Sequence, residues 1–481
     1  MTWNRQAAQQ GQHQDLVGFI WNIADKLRGA YSKKNRQLLL ASLILTLTGL
    51  FLVTTSSRGA REKWAQEAFI PCRGAAEIYH DVLLISGYGH PPYLYRYKEG
   101  KWVEEAAFIR KGQDISVSHA ATRETPLKSC SQFLEDRKNE DRVFFGSATA
   151  ISEDAVFFVS LGKQADGIGD NTIYTSLFDG EFWSKPVALP PIPGDASDDV
   201  GEEMAVDGNV LVSGNRREGI YVYERDSDAQ PWQFKTQLQN PETLFPEKRI
   251  NISGFGSAVA VEDDTIVVGG YGFVSGANVF KRNENTEEWA FEASLSPTGS
   301  FQEPTPTEYG TGFGDGVAIG NGIIAVGATT LDYPPNGTVF LYEKDQDGRW
   351  QVIDRLKPVG GRSPGASRFF GVYGYGSNIS MDAETRTMAV STYDDRYPMM
   401  TVEGGDVFVY AQIPLGPRWY QQALLSRDEE INRDEKYFGA GAVISGNRLA
   451  VYGVQEETEG IFIFHRHQTQ SSSTAVRSGY R

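Results

Sequence analysis

The strongest constraint on this chain is that it repeats itself. "FGSATAISEDAVFFVS" begins at residue 145, "VGEEMAVDGNVLVSG" at 200, "FGSAVAVEDDTIVVGG" at 255, "FGDGVAIGNGIIAVGA" at 313, "FGVYGYGSNISMDAETRTMAVS" at 370 and "FGAGAVISGNRLAVYG" at 438. A weaker seventh copy, "AEIYHDVLLISG", begins at 76. Each reads as a strand, a tight turn rich in Asp, Asn and Gly, and a more continuously apolar strand, which is a hairpin with a buried second strand. An aromatic strand follows, such as "GIYVYERD" (219–226) or "TVFLYEKD" (338–345), then a short polar turn and a Trp. Trp64, Trp102, Trp183, Trp232, Trp289, Trp350 and Trp419 each have an apolar residue six positions later: Ile70, Phe108, Leu189, Leu238, Leu295, Leu356 and Leu425. In a regular strand that even offset places both side chains on one face.

Four strands per repeat, at a period of roughly 50 to 70 residues, is the grammar of a propeller blade. The 51 Gly and 21 Pro agree, since they favour turns over long helices. The first repeated Trp precedes the first hairpin, whereas "GIFIFHR" (460–466) has no Trp strand after it. The segment "KWAQEAFI" is therefore expected to complete the last blade, which closes the ring and removes an open sheet edge. The expectation is an all-β, seven-bladed β-propeller over 64–466, with a disordered tail at 467–481.

Ahead of the repeats lies "LLLASLILTLTGLFLV" (38–53), extended by Thr54 and Thr55. As a helix, 38–55 reaches about 27 Å, enough for a single membrane span with slight thinning. Five Lys/Arg flank it on the N-terminal side and three on the other, which favours a cytoplasmic N-terminus and an exported body. A signal peptide cleaved near "TTSS" exports the same body as a secreted protein. Within 1–37, Asp15 can cap a helix with Leu16, Ile20, Ile23 and Leu27 on one face and Gly29 at its end. Such an amphipathic helix suits a membrane surface or a partner. Cys72 and Cys130 can form one disulfide after export, or stand as separate thiols. Sequons at Asn251, Asn336 and Asn378 are candidate glycosylation sites.

The Phe-Gly starts, the "AVAV" or "GVAI" strands, "IVVGG" or "IIAVGA", and the Trp strands together resemble the FG-GAP repeats of integrin alpha-chain propellers, over about 64–466. That resemblance implies a cell-surface or secreted binding and adhesion module. The calcium loops of that family do not carry over. Their place holds only "SED" (152–154), "DGN" (207–209), "EDD" (262–264), "GNG" (320–322) and "SGN" (445–447), too short for six or more oxygen ligands. Glu343, Asp345 and Asp347 alternate before Trp350, but a hairpin turn explains them. No metal or other cofactor is expected.

A second, short resemblance links "DLVGFIWNIADKLRGAY" (15–31) to the opening helix of type I restriction enzyme modification subunits. Methylation needs an Asn/Asp-Pro-Pro-aromatic motif; "HPPY" (90–93) has His in the first place and reads as a blade loop, so no methyltransferase is expected. No HExxH or GxSxG motif is present, and the pair His465 and His467 sits near the C-terminus. The chain is read as not an enzyme. Its net charge is −16, of which 1–63 contribute +6, so the remainder carries −22. That balance excludes a nucleic-acid-binding body.

The partner is expected to be a protein or glycan. It is placed on the face of the long loops 109–144, 190–200, 297–312, 358–369, 391–405 and 426–437, because a rigid scaffold tolerates variable loops there. Tyr271, Phe273, Tyr309, Tyr333, Tyr393, Arg396 and Tyr397 are the ligand-binding candidates on that face. A secreted propeller enzyme acting on a glycan and a scaffold of a surface complex are the alternative readings.

Overall fold

A computed structural model describes residues 63–467, apart from 88–89, 112–113, 123–129, 131–144, 162–170, 194–200, 202, 216–218, 229, 242–253, 271–275, 302–310, 330–336, 360–374, 393–404, 414–415, 427–437, 440 and 456–457. The amphipathic segment 15–31, the apolar segment 38–55 and the tail after 467 lie outside the described residues, and Trp64–His467 forms one compact unit.

The first strand, β1 (Lys63–Ile70), belongs to the last blade. Blade 1 follows with β2 (Ala75–Tyr79), β3 (Val82–Gly87), β4 (His90–Lys98), β5 (Lys101–Lys111) and β6 (Asp114–His119). Blade 2 has β7 (Phe145–Ile151), β8 (Ala155–Leu161), β9 (Asn171–Leu177) and β10 (Val187–Ala188). Blade 3 has β11 (Glu203–Asp207), β12 (Val210–Asn215), β13 (Gly219–Glu224) and β14 (Gln233–Leu238). Blade 4 adds a fifth strand to β15 (Ala258–Glu262), β16 (Thr265–Gly270), β17 (Gly276–Arg282) and β18 (Trp289–Ser296), namely β19 (Gly299–Phe301). Blade 5 comprises β20 (Phe313–Gly320), β21 (Ile323–Ala328), β22 (Thr338–Lys344) and β23 (Trp350–Leu356). Blade 6 comprises β24 (Ile379–Asp382), β25 (Thr387–Ser391), β26 (Val407–Gln412) and β27 (Trp419–Leu425). Blade 7 pairs β28 (Ala442–Ser445), β29 (Arg448–Gln455) and β30 (Thr458–His467) with β1.

The inner strands β2, β7, β11, β15, β20, β24 and β28 each touch the next, and β28 touches β2, so the ring is closed. The chain is a seven-bladed β-propeller, and β1 seals it as the order of repeats implies. Parts of the loops expected at 109–144 and 297–312 are strand instead, because β6 and β19 extend blades 1 and 4.

Seven apolar clusters fill the seven blade junctions, one each. They correct the single-face expectation for the Trp strands. Trp289 packs into the junction with blade 3, whereas Leu295 packs into the junction with blade 5. Trp350 and Leu356 divide in the same way between the junctions with blades 4 and 6. The cause is a β-bulge in the outer strand. In β5, β14, β18, β23 and β27 the register skips one residue, always three after the Trp: Glu105, Lys235, Glu292, Ile353 and Gln422. One extra residue turns an even offset into opposite faces.

The Phe-Gly starts have a backbone explanation. Gly256 and Gly314 take φ of 96° and 99°, a region that favours glycine. Their carbonyl oxygens press on a glycine in the second strand of the preceding blade: a Cβ added to Gly214 would overlap the Gly256 oxygen, and one added to Gly269 the Gly314 oxygen. In blade 6 the counterpart is Tyr375-Gly376 rather than Phe370-Gly371, which lies outside the described residues. Gly376 has φ of 92°, its N–H donates to Ser391 O as that of Gly256 donates to Gly269 O, and its carbonyl meets Gly327. We expect Gly269→Ala to destabilise the fold by about 1–3 kcal/mol, because backbone must move to admit the methyl group. Gly416→Ala, at a site with open space, is expected to stay within about 0.5 kcal/mol, and paired denaturant titrations compare the two.

Candidate functional site

At several junctions the bulge supplies a polar latch. A bulged residue is aimed toward the next blade, and there it meets that blade's Trp. Trp183 Nε1 donates to Glu105 at 3.1 Å, and Trp350 Nε1 donates to Glu292 at 3.1 Å. Trp64 Nε1 donates to Gln422 at 2.8 Å, and Trp102 Nε1 donates to Glu67, three after Trp64, at 3.0 Å. Lys235 cannot accept, and Glu224 takes over the indole of Trp289 at 2.7 Å while pairing with Lys235. Where the position holds Ile353 or Pro186, the buried indole N–H groups of Trp419 and Trp232 have no partner among the described residues.

Pro186 also marks where the outer strand of blade 2 is cut short. Proline offers no N–H to the ladder, and β10 keeps only two residues. Beside this break, on the face of the short hairpin turns, lies a groove of about 430 Å³ lined by Asp154, Leu177, Phe178, Asp179, Phe182, Trp183, Ser184 and Asp228. Most of the lining comes from the end of β9 and the turn after it, while Asp228 comes from the corresponding turn of blade 3. Phe182 is 37% exposed, one of few large apolar side chains offered to solvent, and His119 stands edge-on to its ring at 5.2 Å. Phe178 lies against Trp183 at 5.0 Å and carries the Arg96 guanidinium at 4.6 Å.

The groove is acidic over a buried cation. Arg225 is buried; its Nη2 meets Asp154 at 2.8 Å and Asp228 at 3.2 Å, its Nε donates to Asn209 Oδ1 at 2.7 Å, and its plane lies 4.9 Å from the Trp232 ring. The Nη1 of Arg225 has no partner among the described residues. Asp179 is occupied by the turn itself. Its carboxylate accepts from the N–H groups of Phe182 and Glu181 at 2.7 and 2.9 Å, and these bonds hold it below the usual carboxylate range. The floor is anchored through Glu105. Burial pushes its carboxyl up, but hydrogen bonds from Arg96, Trp183 and Lys98 outweigh that and hold it below its ordinary value.

The seven long-loop candidates, Tyr271, Phe273, Tyr309, Tyr333, Tyr393, Arg396 and Tyr397, lie outside the described residues, as do Asn251 and Asn336. Asn378 accepts from the Ala442 N–H at 3.0 Å, which ties blade 6 to blade 7. Cys72 and Cys130 are joined as a disulfide. "HPPY" is not a loop: His90 opens β4, and Tyr93 is fully buried. Asp345 accepts from the N–H groups of Asp347 and Arg349, both at 2.9 Å, and so caps a turn. His465 and His467 stand 4.7 Å apart by ring centroids, as neighbours on one strand face. The groove was not read from the sequence, although Pro186, three after Trp183 where three other repeats place Glu, was the signal.

On the channel side, burial and the nearby charge of Glu203 push Glu77 up to about 8. The turn carboxylates there act as clasps between blades. Asp207 accepts from Asp263 N–H at 2.6 Å, Glu262 from Gly322 N–H at 2.8 Å, and Asp382 from Gly446 N–H at 2.8 Å.

No family model and no curated protein matches the chain. Solved structures similar to it include a chain of the mitotic checkpoint complex, at 9% identity and a TM-score of 0.45, with 85% of this chain and 95% of that one covered. The computationally designed Ika8 protein is similar at 13% identity and a TM-score of 0.38, covering 83% and 99%. A putative 6-phosphogluconolactonase from Bacteroides uniformis is similar at 11% identity and 0.41, covering 79% and 91%. Likenesses this distant carry no argument on function, and the fold rests on the sheets described above.

Glu105→Ala should destabilise the fold by about 1–3 kcal/mol, because it strips Trp183 and Arg96 of their acceptor. The folded-state value of Glu105 lies below its unfolded one, so its stabilisation is complete above the unfolded value of about 4.3 and is lost as pH falls through the folded value. The wild-type advantage measured by denaturant titration should therefore shrink on acidification below about pH 4.

Proposed function

We propose that this propeller is a recognition module for a protein partner, and that the groove beside Pro186 receives a basic side chain of that partner. The groove itself carries the reading: an exposed Phe182 ring stands beside Asp154 and Asp228, on a body whose net charge is −22 outside residues 1–63. Aromatic surface next to carboxylates attracts Lys and Arg through the ring face and through charge. The acidic field around it draws a basic partner and repels an acidic one. The closed propeller ring supplies the rigid support that such a site needs. The repeat grammar supports an FG-GAP-like assignment, and catalysis forms no part of this proposal.

Binding of a short Arg/Lys-rich peptide by the full-length protein, followed by calorimetry, tests the reading. Micromolar affinity that weakens with salt is expected, with a loss of about tenfold in Phe182→Ala. Equal uptake of a Glu-rich peptide, or an affinity unmoved by Phe182→Ala, would reject it.

The location of the body is a separate part of the proposal. Its ground is the sequence of 38–55 with its flanking charges, which supports a single-pass anchor with the propeller exported, or a secreted body if the segment is cleaved. Among the described residues no helix is long and apolar enough to cross a membrane, and 38–55 is not among them. In sealed membrane vesicles carrying the full chain, a C-terminal tag protected from protease while an N-terminal tag is digested is the expected result. Digestion of the propeller from the cytoplasmic side would overturn export.

A further inference from the structure

Beside the seam where β1 hands over to β2, three metal-binding side chains meet. Cys72, Cys130 and His90 are 0%, 1% and 4% exposed, and their ligand atoms lie within 4.8 Å of one another. His90 Nε2 is 3.9 Å from Cys72 Sγ. We propose that these residues form a redox-gated zinc site: a disulfide under oxidising conditions, and a Cys-Cys-His zinc centre once the disulfide is reduced.

Three observations favour zinc over an idle thiol pair. A tetrahedral zinc with bonds of about 2.3 Å to sulfur and 2.0–2.1 Å to nitrogen holds its ligand atoms about 3.5–3.8 Å apart. The His90 to Cys72 distance is already close to this, so reduction requires mainly that the two sulfurs separate. His90 is oriented as zinc-bound histidines are. Its Nδ1 lies 2.7 Å from the backbone oxygen of Pro91, and the tautomer that donates Nδ1–H there leaves the lone pair of Nε2, 3.9 Å from Cys72 Sγ, available to a metal. Nε2 also lies 2.5 Å from Arg73 O, a contact that the other tautomer makes by donating Nε2–H and that zinc would replace. Finally, Zn²⁺ with two thiolates and one neutral imidazole has no net charge, which suits a site this buried.

The chemistry balances without a group from the protein. A dithiol reductant supplies two electrons and two protons to the sulfur–sulfur bond and becomes a disulfide itself. Zinc then displaces the two thiol protons to solvent and takes the Nε2 lone pair. The fourth position takes water, as in three-ligand zinc sites. Either linkage fixes Cys130 to the seam between blades 7 and 1, so the seam keeps a covalent or metal staple in either redox compartment.

Cobalt titration of the full-length protein, reduced and freed of reductant without oxygen, tests this. One equivalent of Co²⁺ should produce thiolate charge-transfer absorption and the visible bands of a tetrahedral site, and Zn²⁺ should bleach them. The oxidised protein should give neither. Bound Zn²⁺ should also shield both cysteines from alkylation. His90→Ala should bind Co²⁺ at least about tenfold more weakly while its disulfide still forms on oxidation, which separates the ligand role from folding. An absence of charge-transfer absorption in the reduced wild type, or an unchanged spectrum and affinity in His90→Ala, would overturn the proposal.

Discussion

Each propeller blade is apolar on both faces, and in five outer strands the bulge three residues after the Trp lets one strand serve both. Without it, Trp289 and Leu295 would crowd one junction and leave the other thin. With it, the indole fills the gap to the preceding blade and the aliphatic side chain fills the gap to the next. The same residue that breaks the ladder turns its side chain across the junction, so Glu105 and Glu292 satisfy indole N–H groups that would otherwise be buried without a partner. Apolar filling and polar satisfaction thus come from one local irregularity, repeated around the ring.

Nearer the channel the blades approach so closely that backbone meets backbone. The glycines of the Phe-Gly starts supply the φ, and those of β12, β16 and β21 supply the space. At the other end of the same inner strands the turn carboxylates of Asp207, Glu262 and Asp382 bind N–H groups of the following blade's turn. Where glycine contact at one end and a carboxylate clasp at the other coincide, as between blades 3 and 4 and between blades 4 and 5, the junction has little freedom to open. That gives a structural role to acidic turns too short to hold calcium.

The blade number, the closing role of "KWAQEAFI" and the phase of the Trp strands were legible because each is written several times, and repetition averages out the ambiguity of any single segment. The facing of the Trp strands was misread because a bulge leaves no mark in spacing: the offset of six is even whether or not a residue is skipped. The start of blade 6 was misplaced by five residues because "FGVYG" and "YGSN" both carry an aromatic-Gly pair, and only the contact with Gly327 selects Gly376. The groove was invisible for a related reason. It lies beside a departure, Pro186 where Glu67, Glu105 and Glu292 stand in other repeats, and departures become informative only once the role of the common residue is known.

Net charge overstates what this surface can offer to a partner. Much of it is committed: Asp179 and Asp345 to their own turns, Asp207, Glu262 and Asp382 to the next blade, and Glu67 and Glu105 to indoles and guanidinium groups. In the groove, Asp154 is partly neutralised by Arg225, which leaves Asp228, 79% exposed along its side chain, as the carboxylate with the most freedom to reorient. Asp228 meets the buried Arg225 with an exposed carboxylate, which water can solvate in place of that contact. In the proposed recognition a basic group entering over Phe182 would compete with Arg225 for Asp228, while the buried guanidinium would keep its contact with Asp154.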